Sequence, residues 1–137
     1  MGEVRIKAEL TNATDLGMLR RNVLKPSEVR KLEVDALVDT GAVSLVVPPA
    51  VADRLGLART HKQMAQYADG REEEVWVTEG VLVEVLHRRT LDEALVLGDE
   101  VLIGQTVLEK TDLHVDCKEH RLLPNPAHPD QPVLKIK

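Results

Sequence analysis

Apolar and polar residues alternate along Val4-Arg5-Ile6-Lys7-Ala8-Glu9-Leu10, the period of a half-buried strand. Residues 11–15, Thr-Asn-Ala-Thr-Asp, carry the side chains that bond their own backbone in turns. Residues 16–24 fit no single period, and Pro26-Ser27-Glu28 opens at most one helical turn. Residues 32–38 read as a strand whose end, Ala36-Leu37-Val38, looks buried on both faces. Asp39-Thr40-Gly41 breaks it, and Leu45-Val46-Val47 is a second short apolar strand. Pro48-Pro49 then starts a helix with Ala50, Val51 and Leu55 on its apolar side and Gly56 at the cap.

From Gln63 the period returns to two. Asp69-Gly70 is a tight-turn signal between strands at 63–67 and 74–78. Further strands are expected at 81–86, 93–97 and 101–103, the last stopping at Gly104. Residues 105–113 have the spacing of a short helix, and 114–123 that of a strand or hairpin. Prolines at 124, 126, 129 and 132 make a loose tail in which 133–137 is a candidate edge strand. The pattern predicts a mainly β chain with one or two short helices, organised as one domain over 1–137.

Composition narrows the function. With 137 residues, 43% hydrophobic and 30% charged, the chain can bury a core without staples. The longest uncharged run, 40–52, contains two prolines, so no membrane span is expected. The start of the chain lacks the apolar core of a signal peptide, and Cys117 alone cannot form an internal disulfide. Both point to a reducing, cytoplasmic setting. A net charge of -5 argues against nucleic acid, and one Trp, one Tyr and no Phe offer no stacking platform.

The chemistry concentrates in residues 36–48, Ala-Leu-Val-Asp-Thr-Gly-Ala-Val-Ser-Leu-Val-Val-Pro. An acid at the end of an apolar strand is costly unless donors surround it. Gly41 allows a tight turn that aims main-chain N–H groups at Asp39. Alone, the tripeptide would be an ordinary turn. In context it resembles the active-site motif of aspartic peptidases, and Val38-Asp39-Thr40-Gly41-Ala42 resembles that of the retroviral-type, retropepsin-like group. Leu45-x-Val47-Pro48 matches the continuation in pepsin-like enzymes. Leu102-Ile103-Gly104 resembles the family's second element, whose strand threads beside the active-site loop in a ψ-shaped arrangement. The resemblance covers about residues 32–123.

This resemblance implies a small, closed, barrel-like β fold and an endopeptidase that needs no metal and no cofactor. The chemistry requires two carboxylates sharing one proton, one acting as base on water and one as acid on the substrate carbonyl. The chain holds one Asp-Thr-Gly, so a homodimer pairing Asp39 with its copy is implied. Asp39 would be catalytic, Thr40 would bond across the two-fold axis, Gly41 would support the carboxylate, and Ala42 would flank the cleft. Ala68, Asp69 and Gly70 would form the tip of a flap closing over a peptide or protein substrate, although the family's glycine-rich tip is absent. Leu102, Ile103 and Gly104 would support the loop. The terminal segments 4–10 and 133–137 are expected as edge strands of the interface, with Thr40 at its centre. A silent dimeric module binding peptides in the same cleft is the alternative.

His114, Asp116, Cys117 and His120 are capable of metal ligation but read as a polar hairpin with a small core cysteine. Asp35 shares a strand face with Asp39 but lies about 13 Å away at ~3.3 Å per residue, too far to share its proton. Tyr67 reads as a packing residue, and His61, His87 and His128 as surface. Residues 69–100 hold ten acids against three arginines, which reads as a solvated acidic hairpin surface.

Overall fold

A computed structural model describes residues 2–137. The first alternating segment folds as β1 (Arg5–Asn12), with Ala8 and Leu10 inward and Arg5, Lys7 and Glu9 outward. The turn expected at 11–15 is instead the start of a helix, α1 (Ala13–Arg20). Asn12 caps it, its side-chain oxygen accepting from the Asp15 N–H at 3.1 Å. Caps and turns use the same short polar residues, which is why the pattern did not separate them. Asp15 is buried and receives the Arg30 guanidinium at 2.9 and 3.0 Å. Those bonds hold its carboxyl below the usual range.

After a single 3-10 turn, Pro26–Glu28, the chain forms β2 (Lys31–Val38), β3 (Leu45–Val47) and α2 (Pro49–Arg54). A long hairpin follows, β4 (Arg59–Gln66) and β5 (Glu72–Thr78), then β6 (Val81–Val85) and β7 (Arg88–Asp92). β8 (Ala94–Val96), β9 (Val101–Ile103), α3 (Gln105–Thr111), β10 (Leu113–Asp116) and β11 (Arg121–Pro124) complete the order. β7 was not foreseen. Its turn, Leu86-His87, has both residues in the left-handed region at φ 50 and 64°, without the Gly or Asn that announces such turns. At the end of β2 only Ala36 is fully buried; Leu37 and Val38 are half-buried.

Nine strands form one sheet in the order β4-β5-β8-β3-β9-β2-β1-β6-β7, and β10 pairs with β11 separately. The mainly β expectation holds, but the ladder is open at β4 and β7, so hydrogen bonding does not close the expected barrel. β1 is not an edge strand: it lies between β2 and β6, with Leu10 opposite Leu32 and Val83. The 133–137 segment is not a strand, and Leu134 and Ile136 are exposed. The core is aliphatic, with Leu10, Leu45, Leu55, Ile103, Val83 and Val107 fully buried. Among the described residues no helix is long and apolar enough to cross a membrane.

The Pro-rich tail is anchored by polar groups. Buried Arg88 donates to the carbonyls of Thr111, Asp112 and His128 at 3.2, 2.9 and 2.6 Å. Asp112 accepts from the Asn125 side chain at 2.9 Å and the Val133 N–H at 3.1 Å, and meets His128 Nδ1 at 2.6 Å. His128 is therefore half-buried and bonded, not free surface as expected. Asn125 foremost, then the Val133 N–H and His128, hold the Asp112 carboxyl down at about 2 against an ordinary 3.8.

A folded value below the unfolded one stabilises above about pH 4, and the contribution is lost as pH falls through 2. Asp112→Asn should lower the melting temperature by a few degrees at pH 6. The gap to the natural chain should close between pH 4 and pH 2, because other titrating groups are common to both proteins. Thermal melts across that range check it; a gap constant with pH would show that the Asp112 charge does not hold the tail.

Candidate active site

The site is built where β2 and β3 part. These strands are consecutive in sequence, yet β9 lies between them. Val38 pairs with Ile103 in parallel, and Val46 pairs with Leu102 in antiparallel. The 39–44 segment must therefore bridge the end of β9. It does so as a compact turn: the Asp39 N–H donates to the Ile103 carbonyl at 2.9 Å, and the Ala42 N–H to the Asp39 carbonyl at 3.1 Å. The Gly41 N–H donates to Asp39 Oδ1 at 2.9 Å, the donor expected from the sequence.

Gly104 is what lets the bridge sit so low. Its φ of -94° suits any residue, so the requirement is space rather than backbone freedom. A Cβ there would collide with the Ser44 carbonyl oxygen and lie 2.8 Å from that of Ala42. α3 begins immediately after. Its first N–H groups would lack partners within the helix. Gln105 and Thr106 instead donate to the carbonyls of Ala42 and Val43 at 2.8 and 2.9 Å. Loop, strand and helix thus lock one another.

Asp39, Gly41 and Ala42 open onto a cleft of about 780 Å³, whose walls include Val46, Leu102 and, across from them, Ala68. Ile103 is fully buried below, and Gly104 lies under the loop. Thr40 does not line this cleft. It borders a second cavity, of about 740 Å³, with Gln105, Leu113, His114 and Val133. Asp39 is half-buried and Thr40, Gly41 and Val43 are exposed, so the acid is less enclosed in one chain than its apolar context suggested.

The β4–β5 hairpin overhangs the cleft. Most of β4 and the first half of β5 are exposed, so the arm stands off the core. Its tip is a three-residue loop, Ala68-Asp69-Gly70. The Tyr67 N–H donates to the Arg71 carbonyl at 2.8 Å, the Gly70 N–H donates to the Tyr67 carbonyl at 2.9 Å, and Gly70 has φ 89°. Asp69 turns to Arg71 at 2.7 Å, and neither Asp69 nor Gly70 lines the cleft. Tyr67 does, with its hydroxyl donating to Glu73 at 3.1 Å; that bond raises its pKa.

Asp92 was not foreseen as part of the site. It lines the same cleft, accepts from the Thr106 hydroxyl at 2.7 Å and the Leu45 N–H at 3.4 Å, and takes the Glu93 N–H at 3.0 Å. It ties β7, β3 and α3 beside the loop. No local spacing marks it, because it is one of ten acids between 69 and 100.

The other clusters dissolve. Among the described residues no three His, Cys, Asp or Glu side chains are placed to hold a metal ion. Asp116 accepts the N–H groups of Lys118 and Glu119, and Cys117 is exposed rather than in the core. Asp35 is exposed and 3.9 Å from Arg5. The sequence model of the family described as "gag-polyprotein putative aspartyl protease" matches residues 26–110, more than half of the chain. That span runs from the 3-10 turn into α3 and includes the loop, the overhanging hairpin and Gly104. No curated protein matches the chain.

Gly104→Ala should destabilise the chain by about 1–3 kcal/mol, since the obstructing atoms are backbone carbonyls that cannot swing away. Gly17→Ala, inside α1 with open space around an added methyl, is the control and should raise stability by up to about 1 kcal/mol. Urea unfolding of both variants measures the contrast. Equal stability of Gly104→Ala and the natural chain would refute the close approach.

Proposed function

The chain belongs to the retropepsin-like gag-polyprotein aspartyl protease family, and on that premise we propose that it is an aspartic endopeptidase whose site is completed by a second copy of itself. The observation that carries this reading is Asp39 at the mouth of a cleft, with Oδ1 fixed by the Gly41 N–H and the surrounding loop exposed. Hydrolysis needs a second carboxylate. Asp92 is another aspartate lining the cleft, but its oxygens already accept from the Thr106 hydroxyl and from the Leu45 and Glu93 N–H groups. A second Asp39 supplies the partner instead, and the exposed Thr40, Gly41 and Val43 leave room for it.

One Asp39 carboxylate removes a proton from water while its protonated copy donates to the substrate carbonyl oxygen. Water's oxygen bonds to the carbonyl carbon, giving a tetrahedral diol. Its collapse breaks the C–N bond as the amine takes one proton from the dyad and a diol hydroxyl returns one to it, leaving acid and amine products and a dyad that again holds one proton. Gly41 holds the carboxylate, Ala42 borders the bound peptide, and Ala68 approaches it from the hairpin. Leu102, Ile103 and Gly104 keep the loop in place. The exposed hairpin, with few buried contacts, is free to close over the peptide.

Thr40 is assigned to the dimer contact, since it faces the cavity bordered by Val133 rather than the cleft. With β1 enclosed in the sheet, only 133–137 among the terminal segments is left to interlace with a partner. The single cysteine supports a reducing, cytoplasmic setting.

Asp39→Asn should abolish cleavage of a proteome-derived peptide mixture while leaving the sedimentation of the dimer unchanged, because Asn keeps the size and loses the acid. Cuts made equally by both proteins would be contamination. Full activity in the purified variant would refute the peptidase; a monomer that cuts normally would refute the shared site.

A further inference from the structure

The walls of the cleft carry one sign of charge. Among the described residues, Asp39, Asp92 and Glu93 are its charged lining residues, and no Lys, Arg or His lines it. The hairpin above does not supply the missing cations. Arg59, Lys62 and Arg71 are paired with Asp53, Glu74 and Asp69 at 3.0, 3.5 and 2.7 Å. Its one histidine, His61, contacts the Thr60 hydroxyl at 2.9 Å.

The three cleft carboxylates differ in what they are free to do. Asp39 is assigned to the reaction. Asp92 is spent on holding Thr106, Leu45 and the Glu93 N–H. The Glu93 side chain is exposed and has neither a hydrogen-bond nor an ion-pair partner among the described residues. It follows Asp92 and precedes β8, whose Leu95 forms apolar wall. A long side chain with an apolar stem and a cationic head fits that surface: the stem lies along the aliphatic wall, and the head reaches the rim.

We propose that this cleft selects peptides bearing Lys or Arg, and that Glu93 is the residue that reads the cation. The inference rests on the peptide cleft of the proposed function. Two-fold symmetry sharpens it. A dimer presents Glu93 twice, so the basic positions fall at equal distances on the two sides of the cleaved bond. Each contact is a partly exposed ion pair, so the preference is roughly fivefold per position and weakens as salt rises.

The test has a cleavage arm and a binding arm. Peptide libraries randomised at one position at a time are digested by the natural chain, by Glu93→Gln and by Glu93→Lys. The expected result is enrichment of Lys and Arg over norleucine at two positions symmetric about the cut. The ratio falls to about one in Glu93→Gln and inverts towards Glu in Glu93→Lys. Binding of paired lysine and norleucine peptides is measured by fluorescence anisotropy on Asp39→Asn and on Asp39→Asn/Glu93→Gln. Cleavage without a basic preference, or with one that Glu93→Gln retains, overturns the inference and leaves the peptidase standing. No cleavage, with lysine-dependent binding that Glu93→Gln removes, overturns the peptidase and leaves the inference standing. Equal binding of the paired peptides, or no binding of either, overturns the inference.

Discussion

Immediately after β9 the main chain passes directly beneath the carbonyls of Ala42 and Ser44, and the absent side chain of Gly104 makes the passage possible. Strands that are consecutive in sequence ordinarily pair; here a third is threaded between them, so the 39–44 loop must arch over its end. The arch costs backbone hydrogen bonds, and α3 returns two of them through Gln105 and Thr106. The position of Asp39 therefore follows from a packing constraint shared by three elements, not from the loop alone.

The same crossing decides what else faces the cleft. β9 brings Leu102 to one wall, and β8, parallel to β3, brings Leu95. Asp92 reaches in from the end of β7, and only Glu93 separates it from β8. A core without Phe suits this arrangement: strands of three residues, as in β3, β8 and β9, are filled by Val, Leu, Ile and Ala.

An excess of acid is handled in two ways. Some carboxylates are fixed by donors and serve as brackets: Asp15 on Arg30, Asp92 on Thr106, Asp112 on Asn125, His128 and the Val133 N–H. Their charge is compensated locally, so they organise the chain. Others keep free oxygens. Among the described residues, Asp39 accepts one backbone N–H and the Glu93 carboxylate accepts nothing. The reactive and recognition chemistry assigned here falls on this second group, because only an uncommitted carboxylate can exchange a proton or meet a new cation.

The sequence alone determined what rests on neighbours along the chain. The Asp39–Gly41 turn and the Tyr67–Arg71 hairpin with Gly70 at its left-handed position are both local chemistry, and both formed where expected. The tight space at Gly104 is not local: the carbonyls that a side chain there would meet belong to Ala42 and Ser44. Where one residue type serves two local purposes, the sequence is ambiguous: Asn12 caps a helix whose first turn holds Asp15, instead of making a turn. The tertiary structure alone decided that β1 lies inside the sheet and that 133–137 forms no strand. It also decided that His128 meets Asp112 and that Asp92 lines the cleft. These outcomes depend on which distant segments compete for the same edge or pocket, and burial energy summed over many contacts settles that competition, leaving no mark in any single stretch of residues.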